Sequence, residues 1–126
     1  MTSATGPRPS VAWAQTAAAL CIDLKANDVV ILDLAGVADV TDCFVIASGT
    51  SDAHVRSIAE NVIEGMRERG VAAHHVEGMQ QGRWVLIDFV HFVVHVFHPT
   101  LRSFYQLERL WSDASLIAVA PQGAVT

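Results

Sequence analysis

Gly82–Phe89 (GRWVLIDF), Val90–His98 (VHFVVHVFH) and Pro99–Ala114 (PTLRSFYQLERLWSDA) together decide how this chain folds. They hold two of its three Trp (Trp84 and Trp111), its only Tyr (Tyr105) and four of its five Phe. Aromatic side chains bring the most apolar area per residue to cores and interfaces. Their concentration here marks the stretch as both core and contact surface. The first two segments read as adjacent β-strands and the third as a helix.

A two-residue loop at Val90 and His91 would set the pairing of the strands. Phe89 then faces Phe92, Asp88 faces Val93, Leu86 faces His95 and Trp84 faces Phe97. Opposed residues share a face, and faces alternate along each strand. One face carries Val85, Ile87, Phe89, Phe92, Val94 and Val96, all apolar, which suits a core. The other carries Trp84, Leu86, Asp88, Val93, His95 and Phe97, a mixture suited to a surface that a partner desolvates. The alternative for this second face is a covering helix, with Asp88 and His95 satisfied at its edge. Neither Val90 nor His91 is a favoured hairpin residue, and a longer loop would shift the register and swap the faces.

Beyond Pro99 the spacing of Leu101, Phe104, Leu107, Leu110 and Trp111 predicts a helix with one apolar side, capped by Thr100. Arg102 and Tyr105 fall near its start, beside Trp84 and Phe97, where they would extend the contact surface. Toward the N-terminus, residues 1–9 read as a flexible tail. Ser10 is placed as the cap of a helix reaching Ala26, with Val11, Ala14, Ala18 and Ile22 at helical spacing. Asp28–Leu34 and Asp42–Ser48 are strands, apolar on both faces as central strands are. Thr50 or Ser51 caps the next helix, whose stripe is Val55, Ile58, Ala59, Val62 and Met66, and Gly70 ends it. A short strand spans Ala72–Glu77. The resulting order is helix, strand, strand, helix, three strands, helix. This is an α/β fold, a single layer-type domain with a mixed β-sheet packed by helices, over residues 10–114, with 115–126 as a C-terminal extension.

At 126 residues the chain is one domain. It is 52% hydrophobic and only 17% charged, which leaves apolar surface for a partner. The net charge of −5 argues against binding nucleic acid by phosphate neutralisation, so no direct DNA binding is expected. Two Cys, Cys21 and Cys43, fit a reducing cytoplasmic setting better than a disulfide framework. No apolar run is long enough to span a bilayer, and MTSATGPRPS does not resemble a secretory signal.

No catalytic pattern in the sequence is complete. GTSD (residues 49–52) faintly echoes the loop of a nucleotidyltransferase, but no pair of carboxylates spaced by one residue follows to hold magnesium. Asp33 and Asp88 are single strand carboxylates. His91, His95 and His98 lie on a turn, a strand and a strand end, a poor basis for zinc. His74 and His75 point to opposite strand faces. Cys43 reads as a small buried hydrophobe rather than a nucleophile. Nucleophile-elbow, P-loop and dinucleotide motifs are absent. No enzymatic activity, metal or cofactor is expected.

TDCFVIASGTSDAHVRSIAENV (41–62), EG (77–78), GRWVLIDF (82–89), VVHVF (93–97) and LRSFYQLERLWSDA (101–114) resemble the ribosomal silencing factor family, also called RsfS or Iojap. The resemblance runs from about residue 10 to 114. It implies a mixed-sheet fold that is nucleotidyltransferase-like without the catalytic carboxylates. It also implies binding to the large ribosomal subunit through its protein fourteen, at the surface where the small subunit docks. Subunit joining would be blocked sterically and translation repressed. Homodimers of the free protein are expected as well. Carried over by position, the family's partner-binding residues fall on Trp84, Asp88, His95, Phe97, Arg102 and Tyr105. Many members have Gly-Asp between the two strands where this chain has Val90-His91. A titratable His thus stands where an acid could have met a basic partner. Two other readings remain open here: a nucleotide-using enzyme with a site at Gly49–Asp52, and a homodimeric scaffold that uses the aromatic face on itself.

Overall fold

A computed structural model describes residues 9–37, 39, 41–101 and 114–119. Its elements are α1 (Pro9–Asp23), β1 (Asn27–Asp33), β2 (Cys43–Ser48), α2 (Asp52–Glu68), β3 (His75–Glu77), β4 (Trp84–Asp88), β5 (Phe92–Phe97) and β6 (Ser115–Ile117). The strands form one sheet in the order β3-β4-β5-β2-β1-β6. β2 and β5 run parallel and the other neighbours antiparallel. The mixed α/β sheet expected from the pattern is the fold.

The pairing of β4 with β5 is the one the two-residue loop requires, from Trp84 opposite Phe97 to Asp88 opposite Val93. Phe89 N–H then donates to Phe92 O at 2.9 Å and closes the hairpin. Val85, Ile87, Phe89, Phe92, Val94 and Val96 join one buried cluster with Cys43, Val45 and Ala47 of β2. That cluster lies beneath α1 and α2. Helix α2 presents Val55, Ile58, Ala59, Val62 and Met66 to it, each fully buried, as the heptad-like stripe dictates.

The ends of α2 follow the local chemistry. Ser51 is the cap, its Oγ accepting from His54 N–H at 3.1 Å. At the other end Gly70 adopts φ +85. Its N–H donates to Arg67 O, and Val71 N–H donates to Met66 O. That pair of bonds is the Schellman arrangement, which a left-handed glycine permits. Gly78 has φ +85 as well, and a Cβ there would sit 2.0 Å from Trp84 O. Only glycine allows the chain to turn so close to the start of β4.

Several expectations are corrected. Ser10 does not cap α1, because the helix already includes Pro9. Pro suits the first turn, where its missing N–H costs nothing. The buried Ser10 hydroxyl instead donates to Asp42 Oδ2 at 2.9 Å. Ile22 is exposed; the packed stripe is Ala14, Ala17, Ala18 and Cys21, small residues that bring the helix close to the sheet. α1 also ends at Asp23 rather than Ala26, because Lys25 takes φ +64. Thr100 is not a cap either. Residues 99–101 are already helical, and Leu101 N–H donates to His98 O at 3.0 Å, so His98 occupies the capping position. The remainder of the expected last helix, including Arg102, Phe104, Tyr105, Leu107, Leu110 and Trp111, lies outside the described residues. β6 was not expected as a strand: it pairs with Ile31, Leu32 and Asp33 of β1 at the edge of the sheet.

Candidate functional site

The second face of the β4–β5 hairpin assembles the described members of the sequence-predicted site. Trp84, Leu86 and Asp88 share it by alternation along β4, and Val93, His95 and Phe97 do so along β5. Phe44 and Ile46 of β2 and Leu32 of β1 continue it across the sheet. Leu101 and Ala114 pack against the Leu32, Leu34, Ile46 and Phe97 cluster.

Burial divides these residues. Trp84, Leu86 and Asp88 are half-buried. His95 is 4% exposed and Phe97 0%. The expectation that this whole face waits for a partner to desolvate it is therefore corrected at Val93, His95 and Phe97, which the fold itself encloses. Trp84 stacks on Phe97, with ring centroids 5.1 Å apart and planes 27° apart. Phe44 meets the His95 ring edge-on at 4.6 Å. Such aromatic contacts contribute beyond the area they bury.

Trp84 Nε1–H donates to His95 Nδ1 at 3.1 Å. An indole nitrogen can only donate, so Nδ1 is the unprotonated nitrogen and the proton of the neutral ring is assigned to Nε2. Among the described residues, His95 Nε2 is buried without a hydrogen-bond partner. Burial also pushes the His95 pKa down to about 4, because a cation there would be cut off from water. At neutral pH the ring is uncharged.

Asp88 has a local duty in the turn: its Oδ1 accepts from Val90 N–H at 2.7 Å. Val90 takes φ +78, and His91 N–H donates to Phe89 O at 3.0 Å. This is a γ-turn with a left-handed centre, a conformation that strains a β-branched residue. Two bonds from the neighbouring strand entrance hold it in place. Thr41 Oγ1 donates to Val90 O at 3.1 Å, and Asp42 N–H donates to His91 O at 3.0 Å. The backbone explains why Gly is the easier residue at this place.

Two backbone donors of the Gly49–Asp52 loop are engaged within the fold. Gly49 N–H reaches Phe97 O at 2.9 Å, and Thr50 N–H reaches His54 Nδ1 at 2.8 Å. Asp33 Oδ1 accepts from Ala35 N–H in its own turn. Among the described residues no group of three His, Cys, Asp or Glu could hold a metal ion. Both Cys are buried, and burial raises the Cys21 thiol to about 12, so it offers no thiolate at neutral pH. No helix among the described residues is long and apolar enough to cross a membrane.

Two features of the site escaped sequence reading. Phe44 belongs to it, although it lies some forty residues from the hairpin; its place follows only from the parallel pairing of β2 with β5. The Trp84–His95 bond is a diagonal cross-strand contact. The register makes these two residues neighbours, but no pattern says that the indole will donate.

Residues 7–125 match the family model described as "Ribosomal silencing factor during starvation". A Bacillus subtilis protein named Ribosomal silencing factor RsfS is 45% identical over 100 residues, covering 79% of this chain and 85% of that one. A mouse protein named "Mitochondrial assembly of ribosomal large subunit protein 1" is 30% identical over 91 residues, covering 70% of this chain and 40% of that one. A crystal structure of a Chromobacterium violaceum protein superposes with a TM-score of 0.78 at 32% identity, covering 80% of this chain and 84% of that one.

Proposed function

The chain belongs to the ribosomal silencing factor family, and from that premise we propose that it docks on the large ribosomal subunit through protein fourteen of that subunit, blocks subunit joining and so represses translation. The match over residues 7–125 carries this reading. The name of the mouse relative, which speaks of large-subunit assembly, supports the choice of subunit. The mechanism is steric: the bound chain occupies the surface the small subunit needs, and no bond is made or broken. A net charge of −5 suits a basic ribosomal partner, because opposite charge steers encounter. The cytoplasm is the proposed setting, and homodimers form when the chain is free.

The contact surface in this reading is centred on Trp84, with Asp88 further along the same strand face; Arg102 and Tyr105, assigned to it by the family resemblance, lie outside the described residues. His95 and Phe97 belong to the same site from below. A half-buried Trp backed by a stacked ring has the character of an interface anchor. Co-sedimentation with purified large subunits at low salt tests the proposal. The chain is expected in the pellet, and a chain that stays in the supernatant refutes it.

A further inference from the structure

We propose that His95 is a positioning residue for docking: its Nδ1 holds the Trp84 indole by the ring N–H, so that Trp84 meets the partner as a fixed ring with no hydrogen-bond donor to offer. This deepens the reading of Trp84 as the docking anchor and rests on it.

Three observations carry the inference. The first is the bond itself, 3.1 Å from Trp84 Nε1 to His95 Nδ1 between diagonal neighbours on adjacent strands. The second is enclosure. His95 is 4% exposed, so it cannot reach across to a partner, whereas Trp84 above it is half-buried. The third is the cost. With Nδ1 accepting, the proton sits on Nε2, and that atom is buried with no partner among the described residues. An unsatisfied buried donor costs stability. A Leu or Phe at this position of an otherwise apolar cluster would avoid the penalty. What neither could do is accept from the indole. A site where local polarity opposes stability is where a functional reason is expected.

The geometry also narrows what the partner brings. The Trp84 ring is backed by Phe97 at 5.1 Å and tethered at its nitrogen by His95. Its only polar atom is therefore already engaged inside the fold. A partner group at Trp84 is recognised by packing on the ring, as the stem and cation of a Lys or Arg are, and gains nothing from presenting an acceptor. A basic protein supplies such side chains.

The test combines two measurements on the full chain. The first is hydrogen exchange at the indole N–H groups of 15N-labelled protein, with the Trp84 signal identified by its loss in Trp84→Phe. The Trp84 N–H is expected to exchange well below the rate of a free indole, and faster in His95→Leu. His95→Asn, which keeps an acceptor near the Nδ1 position, should restore slow exchange. The second is affinity for large subunits. His95→Leu should weaken binding roughly tenfold, the equivalent of one unsatisfied donor. His95→Asn should retain most of it, and in a Trp84→Phe background His95→Leu should change nothing further. Free-indole exchange of Trp84 in the wild-type chain overturns the proposal and leaves docking standing. So does an equal loss of binding from His95→Leu with or without Trp84, the mark of a merely structural role. A wild-type chain that does not sediment with large subunits removes docking itself, and with it any docking role for His95. The exchange rate of the wild-type chain needs no variant to fold, beyond Trp84→Phe for assignment.

Discussion

The two faces of the β4–β5 hairpin are built from the same two strands and behave differently. On one face Val85, Ile87, Phe89, Phe92, Val94 and Val96 are all buried beneath α1 and α2. On the other, burial is graded: Phe97 and His95 are enclosed, while Trp84, Leu86 and Asp88 are half-buried. The difference arises from chemistry at alternate positions. Branched and aromatic hydrocarbon side chains pack to crystal-like density without polar bookkeeping. An indole, an imidazole and a carboxylate must each find a partner for a polar atom, and these find theirs in one another or in the turn. One strand pair thereby carries a fully buried apolar face and a graded face that holds polar groups. The role of a residue can be read from its parity: odd numbers face the core in β4 and even numbers in β5, because the turn between them holds two residues.

Truncating each face should produce unequal losses of stability. Phe92→Ala removes a ring 1% exposed at the centre of the core face and should cost about 3–5 kcal/mol of unfolding free energy. Leu86→Ala removes a half-buried side chain on the other face and should cost about 1 kcal/mol. Urea denaturation at neutral pH measures both. Equal losses would mean that the faces do not differ as described.

Acid should act on the second face alone through His95. Its pKa is about 4 in the folded chain and about 6.5 when unfolded. Between these values the unfolded chain binds the proton and the folded chain does not, so stability falls as pH falls through this window. The full penalty, on the order of 3 kcal/mol, is reached near pH 4, and no contribution from this group remains above about pH 6.5. Comparing the urea midpoints of wild type and His95→Asn from pH 7.5 to 4.5 isolates it: the variant should show the shallower decline. Parallel curves would contradict the buried, neutral ring.

A smaller effect concerns the turn that fixes which residues go to which face. Val90→Gly removes a β-branched side chain held at φ +78. Relief of strain outweighs the extra freedom of the unfolded chain, so the variant should be about 0.5–1 kcal/mol more stable. A higher urea midpoint would show that the register survives despite its turn residue and not because of it. A lower midpoint would say that Val90 makes contacts worth more than its strain.

Much of this was legible in the residues. The two-residue turn at Val90 and His91 carried the register, period-two alternation around Trp84 and His95 then assigned the faces, and the stripe from Val55 to Met66 carried α2. The local signals at Ser51 and Gly70 carried its ends. What was not legible depended on distant chain. The enclosure of His95 and Phe97 needs Phe44, Leu101 and neighbouring strands that no local pattern brings to them. The edge strand β6 is three residues long, with Leu116 70% exposed, too short and too open to show a period. Ser10 sat where a cap belongs, but Pro9 had already begun the helix, and the hydroxyl found Asp42 across the fold.

The Trp84 face is the proposed docking surface of this ribosomal silencing factor. Co-sedimentation of wild type and Trp84→Ala with purified large subunits, at low salt and with both chains shown to be folded by urea denaturation, tests it most directly. Wild type should pellet with the subunits, and loss of the anchor should weaken binding by about 2 kcal/mol or more, roughly thirtyfold. Trp84→Ala sedimenting as well as wild type would contradict it.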